Sequence, residues 1–495
     1  MAALKLCILS SEIMPYAKTG GLADVAGALC AELAGRGHDV RAFMPLYGGL
    51  RAGPWNLQPV AAVQGAGFAM GAERYEFSLQ TTQFPGTSQP VYFVDCPQMF
   101  ERGALYTNDP DEYRRFLLYT RAVLESCVLL DFVPDVFHCN DWHAAFLPLL
   151  LRSAYALSPL AQVPSVLTIH NIGYQGGMPA DAAPELDLGM RAELLDQDDL
   201  RQGFINPLKT GIKYADAVTT VSPTYAREIC ETALGMGMQG VLNARATGVT
   251  GILNGVDYAE WDPRHDPHLT THFDPEALGG KLVNKRRLMA QVQLSFPDSE
   301  PLLAVVSRLT EQKGFDLLFD TLPELLRRQG CGFVALGSGE ARYVQFFERL
   351  AAEFPGRAAF RSGYDESFAH LIEAGADIFL MPSRYEPCGL NQMYSLRYGT
   401  IPIVHRTGGL ADSVRHFDPA SGEGTGCVFN DFDLGAVRWA LATTLAWYED
   451  RSAWTRLMQN AMAEDFSWGR QVVQYERLFR DLSASAPQRR RASKA

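Results

Sequence analysis

Several loops of this chain carry residue types suited to holding a phosphorylated sugar. The stretch from Asp377 to Val414, DIFLMPSRYEPCGLNQMYSLRYGTIPIVHRTGGLADSV, supplies two of them. Glu386, Pro387, Cys388 and Gly389 form a tight turn. An ionised carboxylate in such a turn accepts two or more hydrogen bonds, so Glu386 is placed to grip hydroxyls. Thr407, Gly408 and Gly409 open a helix that starts at Leu410. Free N–H groups and the helix dipole at such a start attract anions. Lys18-Thr19-Gly20-Gly21 sets a point charge and two glycines before another helix, which suits a phosphate. Taken alone, it reads equally well as a surface loop closed by glycine. Arg308 and Lys313 form a cationic pair on the matching loop of the second half, and the recurrence favours a functional reading of both loops.

Polar residues also gather at strand ends. His170-Asn171 directly follows a buried strand, and Asp141 and His143 hold the same place one strand earlier. Ligands bind at that edge of open α/β sheets. The Asp141/His143 pair lacks a third ligand and H-E-x-x-H spacing, so it reads as a sugar- or acceptor-contacting edge rather than a metal pair.

Other motifs are weaker. His265, His268 and His272 have neither cysteines nor a repeating ligand spacing beside them, so no metal is expected there. Three D-x-D triplets, Asp109/Asp111, Asp196/Asp198 and Asp431/Asp433, follow no clear strand and read as solvated. The alternative to a metal on a diphosphate is that Arg308 and Lys313 do its work. Gly235-Met-Gly237-Met-Gln-Gly240 follows a helical pattern from Tyr225 to Leu234, whereas a dinucleotide fingerprint needs a strand there. No cofactor is expected.

The elements that position these loops alternate strand and helix. Leu4–Ser10, the loop EIMPYAKTGG, Leu22–Arg36 and Val40–Met44 form an opening βαβ unit. Leu302–Val306, SRLTEQKG, Phe315–Arg328 and Gly332–Leu336 repeat it. Each time a lysine stands just before a glycine at the mouth of the first βα turn. Residues 48–90 have weak strand patterns with no legible order. The Pro/Asp/His-rich stretch after Asp257 marks a boundary. The expected division is residues 1–257, residues 258–466, a helix over 467–484 that returns to the first domain, and a disordered tail over 485–495.

With 495 residues the chain exceeds one hydrophobic core, and 47% apolar with 20% charged residues is ordinary for a globular protein. A net charge of −12 argues against general nucleic-acid binding. The one basic run, Arg489 to Arg491, lies in the polar tail. Nine scattered cysteines without C-x-x-C spacing favour a reducing compartment. No run reaches the roughly 18 apolar residues of a membrane span, and the N-terminus lacks a signal-peptide pattern. A cytoplasmic protein without membrane partners is expected.

The stretches KTGGLADV, HCNDWHA, TIHNIGYQG, ILNGVD, SRLTEQKG, SRYEPCGLNQMYSLRYGTIPIV and RTGGLADSV occur in that order over nearly the whole length. With them the chain resembles the bacterial glycogen synthases and plant starch synthases that use ADP-glucose. The resemblance implies an α/β glycosyltransferase B fold, two Rossmann-like domains facing a deep cleft, with the last helix crossing back to the first. It implies transfer of glucose from ADP-glucose to the non-reducing end of an α-1,4-glucan with retention of configuration. It assigns Lys18 and the Gly20-Gly21 amides to the phosphate side, with Asp24 in the same motif. Arg308 and Lys313 would neutralise the leaving diphosphate. Glu386 and the amides of Cys388, Gly389 and Leu390 would hold glucose hydroxyls. His170 would lie beside the anomeric centre. Asp141, His143, Asn171 and Asn254 would line the sugar pocket, Tyr364 would stack on adenine, and Thr407 and Gly408 would contact phosphate. Related retaining transferases often carry a second Glu where Tyr394 stands, a loss the ADP-glucose enzymes share. The rival readings are a transferase of the same fold using UDP-glucose or another acceptor, and a catalytically silent glucan-binding protein.

Overall fold

The structure, a computed structural model, describes residues 2–189, 191–328 and 330–492, with side chains described as far as residue 485. The chain forms two compact units. One comprises the residues up to Val221, Ala226–Gly255 and the stretch from Trp468; the other is Ser222–Tyr225 with Val256–Ser467. Each is an α/β unit built on a mainly parallel sheet, the fold class expected from the alternating pattern.

In the first unit the parallel strands run in the order Thr250–Gly251, Ala217–Thr220, Ser165–Ile169, Val136–Asn140, Lys5–Leu9, Asp39–Pro45, Pro90–Asp95. The first strand lies mid-sheet with Leu6 to Leu9 buried, as its apolar run requires. Its register sets Ile8 between Ala42 and His138. Asn140 pairs with Thr168 and Thr220 with Gly251, so Asp141, His170 and Ser222 leave the sheet at one edge. The unordered stretch proves to be an antiparallel extension: Glu73–Gln83 pairs with Pro90–Asp95, Gln58–Pro59 and Ala66–Met70. Gly71, at φ +60, turns the chain between Ala66–Met70 and Glu73–Gln83.

The final helix runs from Trp468 to Ala492 and belongs to this unit. It therefore takes in residues 485–492 of the stretch read as a disordered tail, while residues 493–495 lie outside the described residues. The Arg489–Arg491 side chains lie outside the described set as well. The helix is fixed by His38 Nε2 and Arg36 Nη1 at 2.9 and 3.1 Å from Glu476, and by Tyr475 and Phe479, both fully buried beside His138.

In the second unit six parallel strands run in the order Ala358–Ser362, Gly332–Gly339, Leu302–Leu309, Ile378–Met381, Ile401–His405, Cys427–Phe429. The expected helix over 315–328 begins with a 3₁₀ turn, Phe315–Leu317, and becomes α-helical at Leu318. The segment before the glycine triplet is helical only over Pro223–Glu228; past it the Cys230 and Glu231 amides tighten into turns on the Arg227 and Glu228 carbonyls, each at 3.0 Å. No strand lies between that helix and the triplet among the described residues. No helix of the described residues is long and apolar enough to cross a membrane.

Candidate functional site

In the first unit the Lys18–Gly21 loop is organised by a residue the sequence did not single out, Glu12. Its buried carboxylate accepts from the Thr19 backbone N–H, from Thr19 Oγ1 at 2.6 Å and from the Gly20 N–H at 3.2 Å. Tyr106 donates its hydroxyl to the same carboxylate at 2.6 Å. The Gly20 amide is thus bound to Glu12 rather than offered to a phosphate. Lys18 is paired with Asp24, 2.7 Å away on the first turn of the following helix. The only sequence sign of Glu12 was an acid directly after a buried strand.

At the sheet edge, Asp141 is a non-glycine residue at φ +54, a conformation that costs energy and that functional sites retain. Its Oδ1 accepts the His170 N–H at 2.7 Å. Burial pushes its carboxyl up to about 7, against the pull of the His170 and Asn171 amides. The His170 ring meets Asn140 Oδ1 at 2.9 Å, and burial pushes the imidazole down to about 3, so it is neutral at physiological pH. Asn171 Oδ1 caps its own turn by accepting from the Gly173 N–H at 2.9 Å. Asn254 is buried, and its Oδ1 has no partner among the described residues. Such an acceptor needs an account, and a sugar hydroxyl supplies one.

His143, expected at the pocket edge, is buried. It packs among the rings of Trp142, Phe116 and Tyr106, with centroids 4.3, 4.5 and 4.9 Å away. Burial pushes it down to about 3 as well. Its place is an aromatic cluster behind Tyr106.

In the second unit two loops interlock. Lys313 Nζ lies 2.6 Å from Glu386 Oε2, and Ser383 Oγ donates to the same oxygen at 2.9 Å. Gly314, at φ +68, lies so close to the Pro382 carbonyl that a Cβ would overlap it. The Arg384 N–H donates to the Gln312 carbonyl at 2.9 Å. Glu386 is 5% exposed, so its charge is held by an ammonium and a hydroxyl in a nearly dry turn. Arg308 stands exposed near the end of its strand.

The second turn packs on the first. The Gly409 N–H donates to the Glu386 carbonyl at 3.0 Å, and Gly408 adopts φ +42 directly against that carbonyl. Gln392 reaches back from its helix and donates to the Cys388 and Gly389 carbonyls at 3.0 and 3.1 Å. With those carbonyls turned toward Gln392, the run from Cys388 to Leu390 is fixed. Thr407 is buried. Tyr364 follows Gly363 at φ +107 and is 66% exposed.

Tyr394 stacks on Trp261 at 3.9 Å with the two rings nearly parallel. A glutamate there would lose that stack. Of the three D-x-D triplets, Asp198 and Asp431 are exposed as expected, and the other members also hold local structure. Asp109 and Asp111 share Arg102, and Asp196 and Asp433 cap helices.

Comparison with known proteins covers both units. Residues 5–244 match the family model described as the starch synthase catalytic domain, and residues 289–459 match that of the glycosyl transferases group 1. A glycogen synthase of Anaeromyxobacter dehalogenans strain 2CP-C is 43% identical, over 97% of this chain and 100% of its own. One from Koribacter versatilis is 42% identical, over 96% and 98%. The solved catalytic domain of starch synthase IV from Arabidopsis thaliana, bound to ADP and acarbose, superposes with TM-score 0.88 at 34% identity, covering 98% of this chain and 100% of that one. A sucrose-phosphate synthase from Thermosynechococcus elongatus, at 17% identity and TM-score 0.61, shares the fold.

Proposed function

The chain belongs to the glycogen synthase family, and from that premise we propose that it transfers glucose from ADP-glucose to the non-reducing end of an α-1,4-glucan, with retention, through the residues described above. The observation that carries the reading is the Lys313–Glu386 pair, 2.6 Å apart in the turn that Gly408 backs. Without donor the two charges hold each other. A diphosphate draws Lys313 toward its oxygens, with Arg308 as the second cation. Glu386 is then left with acceptor capacity for the glucose hydroxyls. One residue pair thus prepares both ends of the donor.

The leaving diphosphate gains charge as the glycosidic bond breaks. Fixed cations and N–H dipoles stabilise that charge most where water is excluded. Lys18 meets the phosphate side once it leaves Asp24. His170 is neutral, so it does not repel the positive charge that develops at the anomeric carbon, and its backbone amide is held by Asp141. Asn254 accepts from a sugar hydroxyl, and Tyr364 offers its face to adenine. No carboxylate stands at 394, and none is assigned as nucleophile. Retention then follows from attack on the face the diphosphate leaves.

The test is donor choice. Protein, glycogen and labelled ADP-glucose or UDP-glucose are mixed with chelator present, and label in precipitated glucan is counted. Incorporation from ADP-glucose alone is expected. Incorporation from UDP-glucose alone overturns the donor, and none from either overturns the transferase reading.

A further inference from the structure

The three histidines weighed for a metal do not converge. His265 Nε2 lies 3.7 Å from Asp262, and His272 Nε2 lies 2.9 Å from the Asp266 carbonyl oxygen. A different set converges on His370. Its helix, Glu366–Gly375, puts Glu366 one turn earlier on the same face. Glu260 approaches from the segment before Trp261. One donor atom each from Glu260, Glu366 and His370 lie within 4.8 Å of one another.

The His370 ring is fully buried, stacked on Trp261 at 3.7 Å and packed against the tilted His268 ring at 4.4 Å. Its Nδ1 is 2.8 Å from Asp266 Oδ2, which also accepts the Tyr398 hydroxyl at 2.5 Å. A carboxylate only accepts, so Nδ1 carries the proton and Nε2 the lone pair. Nε2 has no hydrogen-bond partner among the described residues. A buried imidazole with a carboxylate behind it and a bare lone pair in front is how a metal-binding histidine is oriented. With Nδ1 engaged, Nε2 is the nitrogen left to meet the two glutamates.

We propose that Glu260, Glu366 and His370 Nε2 bind one divalent transition ion of the zinc or manganese class, with Asp266 orienting the imidazole. Two carboxylates and an imidazole suit such ions better than calcium, which takes oxygen ligands. Donors in a tetrahedral site with bonds of about 2.0–2.1 Å sit roughly 3.4 Å apart. Both glutamates are half-buried on rotatable stems, and their rotation closes the remaining gap. Asp266, His268 and His370 also lie within 4.8 Å, but an ion there would break the Asp266–Nδ1 bond. The bound ion fastens the segment carrying Glu260 and Trp261 to the 366–375 helix. Its effect is on the stability of the second unit; none of its ligands is among the residues assigned to the sugar transfer.

The chelator-treated full chain is dialysed against zinc or manganese, bound metal is counted, and thermal unfolding is followed. One ion per chain and a rise of several degrees in Tm are expected. Glu366→Gln and Glu260→Gln, at half-buried positions, should melt near the wild-type metal-free value and bind at least about tenfold more weakly. His268→Asn should bind as wild type does. The site is overturned if no stoichiometric ion binds, if both glutamine variants bind normally, or if His268→Asn abolishes binding.

Discussion

An ammonium 2.6 Å from a carboxylate that is almost out of water is held until a stronger charge arrives. If Lys313 serves the leaving group, Lys313→Ala lowers kcat by about 10²–10³, the usual effect of removing one such group, and leaves KM for glucan nearly unchanged. Steady-state kinetics at saturating donor check this; equal losses in both parameters sink the role. Asp141 makes a prediction in pH. Its folded pKa of about 7 lies above the roughly 3.9 of an unfolded aspartate. Between those values the folded state holds a proton that the unfolded state has lost, so stability falls as pH rises through the window. The contribution is at most about 4 kcal/mol. Asp141→Asn should flatten that decline in urea midpoints measured from pH 4 to 8; an unchanged slope refutes it. Lys18 and Lys313 stood out in the sequence because a charge close to glycine in the loop after a strand is a local signal. Glu12 did not, because its partners converge from residues 19, 20 and 106 only on folding.

Elements were legible in proportion to their burial. Ile378–Met381 and Ile401–His405 are buried on every residue, and 378–381 and 401–404 read as unbroken apolar runs. Glu73–Gln83 and its neighbours at the sheet's end are partly exposed, and their patterns were too weak to order. The contact between the 386–389 and 407–409 turns was legible only as two turns, since nothing local says that Gly408 abuts the Glu386 carbonyl. Gly408→Ala puts a methyl into that oxygen at a φ that already disfavours it. The loop must shift, so activity should drop at least about tenfold for a misplacement near 1 Å. Tm falls too. Full activity would show that the turn tolerates displacement. On the adjoining helix, Tyr394→Glu replaces a ring stacked on Trp261 with a poorly solvated charge. It should destabilise the protein and restore no second catalytic carboxylate; a gain in turnover contradicts the structural role given to Tyr394.

At the scale of the whole chain, the last helix departs from sequence order: it packs in the unit that holds the first strand. That return had a sequence trace in the helical spacing from Gln471 to Leu482. Its length did not, because the Ser/Ala/Pro/Gln composition past residue 484 suggested disorder where the helix continues to Ala492. The apolar residues of that helix are the reason it stays. Val472, Tyr475 and Phe479 are fully buried, and the last two pack on the His138 ring of a central strand. The strand–helix contact joins residues more than 300 positions apart, so it closes a long loop whose entropy must be offset by burial. Truncating a buried phenylalanine costs about 3–5 kcal/mol. Phe479→Ala should therefore lower the urea midpoint of the full chain by that equivalent. Glu476→Gln should cost less, since its partners Arg36 and His38 keep a hydrogen-bond acceptor. If Phe479→Ala unfolds no earlier than wild type, the helix is a passenger on the first unit and not part of its core.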